Sequence, residues 1–260
     1  MNYHGKRGLK NKGQITIFII LALLVVGIGI VIYLFFPQVK TTLGIGPKNP
    51  SEFLQTCMED TIKEKVGEIS IHGGSIQPEY YFLYEGEKVE YLCYTNEYYL
   101  PCTVQQPLLK QHVENEIAES MKKEADSCFS SMKKTYESQG YTAELTRGEI
   151  SVELLPKRIA VSFTHKFTLT KQDTNQYDKF SVVLNNNLYE LISIANSILI
   201  WETKYGDAET TTYMTYYRDL KVEKKKQSEG TKVYIITDRN TGNKFQFASR
   251  SVVWPPGYFG

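Results

Sequence analysis

The sequence predicts an α+β chain: one N-terminal transmembrane helix, then an extracytoplasmic domain of antiparallel sheet with several packed helices. Three observations predict it. From Ile15 to Phe36 the chain runs 22 residues without a charge. Farther on, apolar residues recur every three or four positions in three stretches, as one face of a helix requires. Elsewhere, segments that alternate apolar and polar residues are joined by short polar turns, the pattern of antiparallel strands.

Residues 1–13 form a basic leader. They hold Lys6, Arg7, Lys10 and Lys12 and no acid, so a chain of net charge +1 leaves a body of −3. That body lacks the basic face nucleic-acid binding needs, and no nucleic-acid partner is expected. At about 1.5 Å per residue the uncharged run makes roughly 33 Å of helix, matching a hydrocarbon core of about 30 Å. A secretion signal is shorter and ends in a small-residue cleavage site. This run continues to Phe36 and Pro37, with Tyr33 and Phe35 placed for the headgroup level. A lipid bilayer is therefore the expected partner of residues 15–36, with 14–36 as the membrane-spanning segment. Only Lys40 and Lys48 follow closely, so the positive-inside bias puts the N-terminus in the cytoplasm and the C-terminal domain outside. The expected location is the cell membrane, crossed once.

Residues 37–50, rich in Pro and Gly, read as a linker, and 51–260 as the extracytoplasmic domain. Ser51 stands as an N-cap, and Leu54, Met58, Ile62 and Val66 repeat every four residues behind it. Gly73 and Gly74 stop that helix. "EYYFLYEGEKVEYLCY" is two aromatic runs around Glu-Gly-Glu, hence a hairpin. Pro107 opens a single long helix to Gly140, with Leu109, Val113, Ile117, Met121, Cys128, Met132 and Tyr136 on one side. "YTAELTR" and "EISVELL" flank a turn at Gly148. "RIAVSFTHKFTLT" reads as one long strand, placing Ile159, Val161, Phe163, His165, Phe167 and Leu169 on a single face. "YDKFSVVL" is a strand, "LYELISIANSILIWETK" a helix, and "LKVEKKK", "KVYIITD" and "KFQFASR" close the domain, the last two around "RNTGN".

The start "KGQITIF", Lys12 to Phe18, resembles that of archaeal type IV pilin-like precursors. In that family a short basic leader ends in Lys/Arg-Gly and a membrane peptidase cuts after the glycine. The resemblance implies a cut between Gly13 and Gln14. Many members carry Glu as the fifth mature residue, where it aids subunit registration; here that position is Phe18. With "IHGGSI" and "TGNKFQFASRSVVWPPGYFG", the chain also resembles membrane-anchored proteins of small-genome archaea, and that resemblance supplies no activity.

Four cysteines, Cys57, Cys93, Cys102 and Cys128, fall on the expected outer side and read as two disulfides, with three connectivities open. Cys93 and Cys102 enclose "YTNEYYLP", which can fold back as a hairpin, and Cys57 and Cys128 lie near the apolar stripes of two helices, so this pairing is favoured. A zinc site would need C-x2-C spacing, which is missing, so no metal is expected.

No catalytic residue and no cofactor loop is found. His4 lies in the leader, His72 before the glycine pair, and His112 beside a helix stripe; His165 sits on the apolar face of its strand and reads as a core histidine. Glu114, Glu116, Glu119 and Glu124 alternate with lysines as on a solvated helix face. The basic run at 221–226 reads as a guarded sheet edge. Nineteen tyrosines, clustered in "EYYFLYEG", "NEYYL" and "TTTYMTYYRD", suit sheet packing or a contact surface. The expected role is non-catalytic: binding, adhesion or surface assembly, with a surface protein, a sugar or a sister subunit as partner. A pilin-like subunit processed after Gly13 is the second reading. An extracytoplasmic hydrolase, which would need His165 or His72 joined to an acid and a hydroxyl, is the third.

Overall fold

A computed structural model describes residues 20–28, 30 and 49–253. The chain divides into two compact units, Met1–Lys48 and Asn49–Gly260. In the first, residues 20–28 are helical and their leucine, isoleucine and valine side chains are exposed. Here the expected fold class needs correction. Among the described residues no helix is long and apolar enough to cross a membrane. The rest of the predicted span, the leader with Gly13 and Gln14, the linker to residue 48 and the tail 254–260 lie outside the described residues.

The second unit is α+β. Its first helix, α1 (Pro50–His72), starts two residues earlier than Ser51 as N-cap would set it. Asn49 is the cap, accepting from the Glu52 N–H at 2.8 Å, and Pro50 takes the first helical position, where no amide donor is needed. Leu54, Met58, Ile62, Val66 and Ile69 bury one stripe, each contributing about 1.5–3 kcal/mol. The helix ends at Gly73, whose φ of 90° is left-handed. Strands β1 (Tyr81–Tyr84) and β2 (Glu87–Tyr94) form the expected hairpin, turning at Glu85 and Gly86, both with positive φ. A short β3 (Thr103–Val104) folds back on β2.

The single long helix is in fact two, α2 (Leu109–Ser120) and α3 (Lys122–Ser138). Leu109, Val113, Ile117, Met121 and Ala125, all buried, recur every four residues. The two helices meet at Met121, which is itself buried, so one apolar stripe continues across the division.

Residues 142–185 form one three-stranded meander bent in the middle. Its outer halves are β4 (Thr142–Thr146), β7 (Lys166–Thr170) and β8 (Thr174–Tyr177); its inner halves are β5 (Ile150–Leu155), β6 (Arg158–Phe163) and β9 (Phe180–Asn185). The expected long strand is thus divided at Thr164 and His165, although all six residues of its apolar face are buried. Gly148 does not make a hairpin turn, since β4 pairs with β7 and β5 with β6. It lies at the bend, where a Cβ would stand 2.2 Å from the Thr164 carbonyl oxygen. Only glycine fits that approach.

Helix α4 (Leu188–Tyr205) and the short α5 (Thr210–Tyr216) lead to β10 (Leu220–Lys226), β11 (Thr231–Asp238) and β12 (Lys244–Arg250). With the first hairpin they complete a sheet of order β1-β2-β12-β11-β10. The β2–β12 pair is parallel, an exception to the antiparallel rule that joins the two ends of the domain. Helices α1 and α4 both touch this sheet and the meander, so the main core lies among the three. On the other sheet face Val89, Val233 and Ala248 are covered by Phe82, Tyr84, Tyr91 and Ile235.

Cys57 and Cys128 tie α1 to α3 at a Cα separation of 6.2 Å, across 71 residues of sequence. Closing so long a loop removes much unfolded-chain freedom. We expect Cys57→Ala with Cys128→Ala to lower the unfolding free energy in denaturant by about 4 kcal/mol; a loss under about 1 kcal/mol would remove the staple from the account.

Candidate binding surface

The apolar positions of α4 run Leu191, Ala195, Ile198, Glu202, each on the buried side. An acid therefore enters the core, and Glu202 has no solvent exposure. Its Oε2 accepts from Lys232 Nζ and from Ser249 Oγ, each at 2.7 Å, and its Oε1 accepts from the Tyr234 hydroxyl. Lys232 has three ammonium donors, and the carbonyl oxygens of Gly206 and Ser251 take the others. Burial and the neighbouring Glu202 charge hold the Tyr234 hydroxyl well above the usual phenol range, so it stays a donor. Ser251 extends the network, donating to the Glu202 carbonyl and accepting the Cys102 N–H at 3.0 Å.

Cys102 closes a loop. It is joined to Cys93 with Cα atoms 5.3 Å apart, so residues 94–101 are pinned at both ends. Further bonds fix the loop to the end of β12. The Thr95 N–H donates to the Arg250 carbonyl at 3.0 Å, the Arg250 guanidinium donates back to the Thr95 carbonyl, and the Tyr99 N–H donates to the Val252 carbonyl. Arg250 is buried and its guanidinium lies against the rings of Tyr94 and Tyr98, 6.0 and 5.4 Å from their centroids. Buried charge and sulfur thus support an aromatic surface.

On that support the tyrosines gather. Tyr91 and Tyr94 meet edge to face at 5.0 Å, and the Tyr91 hydroxyl shares a 2.9 Å bond with Thr231 Oγ1. With Glu79, Tyr80, Tyr81 and Gln105 they line a cavity of about 380 Å³. Tyr80 is 75% exposed and Tyr98 63%, and Tyr81, Tyr99 and Leu100 are exposed as well. Tyrosine offers large contact area with few rotors to freeze. The clusters "EYYFLYEG" and "NEYYL" meet through Tyr94, which lines the cavity with Tyr80 and Tyr81 and shares Arg250 with Tyr98.

The other sequence candidates fall elsewhere. His72 bonds the Ile76 carbonyl and Glu87 and joins no hydroxyl. His165 is buried, stacked on Phe129 with centroids 4.3 Å apart, and its Nδ1 has no partner. His112 is the one beside a hydroxyl: Ser75 Oγ lies 2.8 Å from its Nε2 and donates to Glu90 Oε2 at 2.6 Å. Burial pushes the Glu90 carboxyl up, and Ser75 is itself buried. Spacing alone did not reveal this trio, because the glycine pair folds Ser75 back between β2 and α2. Three of the four helix glutamates do more than face water: Glu114 accepts the Leu154 N–H at 2.7 Å, Glu116 accepts the Ile76 N–H at 2.9 Å, and Glu124 buries one carboxylate oxygen. Among the described residues no group of three or more His, Cys, Asp or Glu side chains is placed to hold a metal ion. His4 lies outside them.

Compared with known proteins, the chain matches no family model, no curated protein and no solved structure.

His165 makes a pH test. Burial depresses its pKa below the ordinary 6.5, opposed by Asp126 and reinforced by Arg147. Above 6.5 the ring is neutral folded or unfolded; below it the unfolded chain takes up the proton first, so stability falls with pH. We expect His165→Leu to lose less stability than the parent between about pH 7.5 and 5 in urea unfolding. Equal losses in the two proteins would remove His165 as the cause.

Proposed function

We propose that the chain is a non-catalytic binding domain that works in an oxidising, extracytoplasmic space, where its tyrosine surface adheres to a partner at the cell surface. Two disulfides support the compartment, since such bonds persist where thiols are not kept reduced. The observation that carries the binding role is the loop 94–101, closed by a disulfide and stacked on a buried arginine, with Tyr98, Tyr99 and Leu100 turned outward. Holding a loop this firmly removes the entropy it would otherwise lose on binding. Holding aromatic side chains in water has no use for the fold itself.

The hydrolase reading draws on one arrangement, Glu90–Ser75–His112, with acid, hydroxyl and imidazole in contact. The hydroxyl stands in the middle, its proton turned toward Glu90, and it is buried; a nucleophile needs its proton on the base and its oxygen toward a substrate. The trio fits better as a clamp on the glycine loop.

The test is retention of the purified full chain on envelope fractions of its source cells. Replacing Tyr80, Tyr98 and Tyr99 by Ser is expected to weaken retention about tenfold, the loss of roughly 1.4 kcal/mol, with a cooperative thermal unfolding transition retained. Retention that is unaltered by all three replacements, or absent in the parent chain, would overturn the reading.

A further inference from the structure

A second aromatic site lies away from the disulfide loop. Where α5 lies beside α4, a groove of about 400 Å³ is lined by Trp201, Tyr213, Tyr216, Tyr217 and Glu209. Tyr213 is its floor: it is buried and shares a 2.9 Å bond with Ser197 Oγ. Trp201 is propped by Tyr205, ring centroids 5.1 Å apart, yet remains 48% exposed; Tyr216 and Tyr217 are more open still. Glu209 caps α5 by accepting the Thr211 N–H at 2.9 Å, and the bonds to Thr211 hold its carboxyl below the ordinary range. It is therefore charged.

No lysine or arginine lines the groove. Lys204 lies over the Tyr205 ring, 5.1 Å from its centroid, and Lys224 is held by Asp207 at 2.7 Å and the Ala208 carbonyl at 2.9 Å. The faces of four aromatic rings are negative, and the one formal charge among them is negative too. An anion is repelled here. A neutral apolar guest would strip water from the carboxylate and return nothing. A cation satisfies both the rings and the carboxylate, and a weakly hydrated one surrenders least on entering. We propose that this groove is a cage for an organic cation, a solute carrying a quaternary ammonium group. Trp201 supplies the main ring face and Glu209 the counter-charge. The proposal does not depend on the tyrosine surface of the loop.

The experiment is calorimetric titration of the full chain with choline chloride at fixed ionic strength, beside its neutral isostere 3,3-dimethylbutan-1-ol. Saturable choline binding is expected, at least about tenfold tighter than the isostere, and Trp201→Leu should weaken it by about tenfold. Glu209→Gln should weaken it by a few fold, and Tyr98→Ser should leave it unchanged. No saturable choline binding, equal binding of the isostere, or binding indifferent to Trp201→Leu would each overturn the proposal. The isostere comparison uses the parent chain alone, so a variant that fails to fold does not spoil the test. Binding lost in Tyr98→Ser would also overturn it, by moving the site to the loop.

Discussion

A carboxylate without solvent at the end of α4 is the constraint on which the rest of the domain depends. Taking Glu202 and Lys232 out of water costs several kcal/mol per ion, and their mutual attraction offsets that only if every remaining donor and acceptor is met. Here they are met, by Tyr234, Ser249, and the carbonyl groups of Gly206 and Ser251. The arrangement holds in one register: Lys232 lies opposite Ser249, and Tyr234 opposite Phe247, across the β11–β12 ladder. A slip of one residue would turn Lys232 to the other sheet face and leave the carboxylate buried alone. The network adds little net stability, and its effect is to allow one pairing of strands and one exit for the chain after β12.

That exit positions the surface. Ser251 holds the Cys102 amide, Arg250 holds Thr95, and Val252 holds Tyr99, so the disulfide loop takes its shape from the last residues of the sheet. The parallel β2–β12 pairing gives the same result at larger scale, since the loop follows directly on β2. The two disulfides divide the work. Cys57–Cys128 joins helices and confines the unfolded chain, whereas Cys93–Cys102 spans nine positions and mainly fixes where tyrosines point.

Local periodicity made much of this legible. The α1 stripe, the first hairpin and the shared face of residues 159–169 follow from spacing alone. Long-range facts did not: the β2–β12 pair links segments more than 150 residues apart, and no local pattern encodes it. The predicted long strand has the right faces but divides at Thr164, because the close approach of Gly148 bends both partners together. The predicted long helix divides at Met121, a position that the apolar spacing does not mark. The apolar run at 15–36 indicated a membrane helix by length, whereas among the described residues no helix is long and apolar enough to cross a membrane. Glu202 was in reach of sequence reasoning, since it continues the spacing of Leu191, Ala195 and Ile198; reading only apolar letters hid it. Ser75 was not, for its contacts with Glu90 and His112 depend on the backbone turn at Gly73 and Gly74.

The interior ion pair is open to a direct trial by equilibrium unfolding of Glu202→Ala in urea. Removing the carboxylate leaves the buried Lys232 ammonium with only the half-exposed Asp207, 4.0 Å away, as counter-charge, and a loss of about 3–5 kcal/mol is expected. A loss below about 1 kcal/mol, the value of an exposed pair, would contradict the central place given to this network.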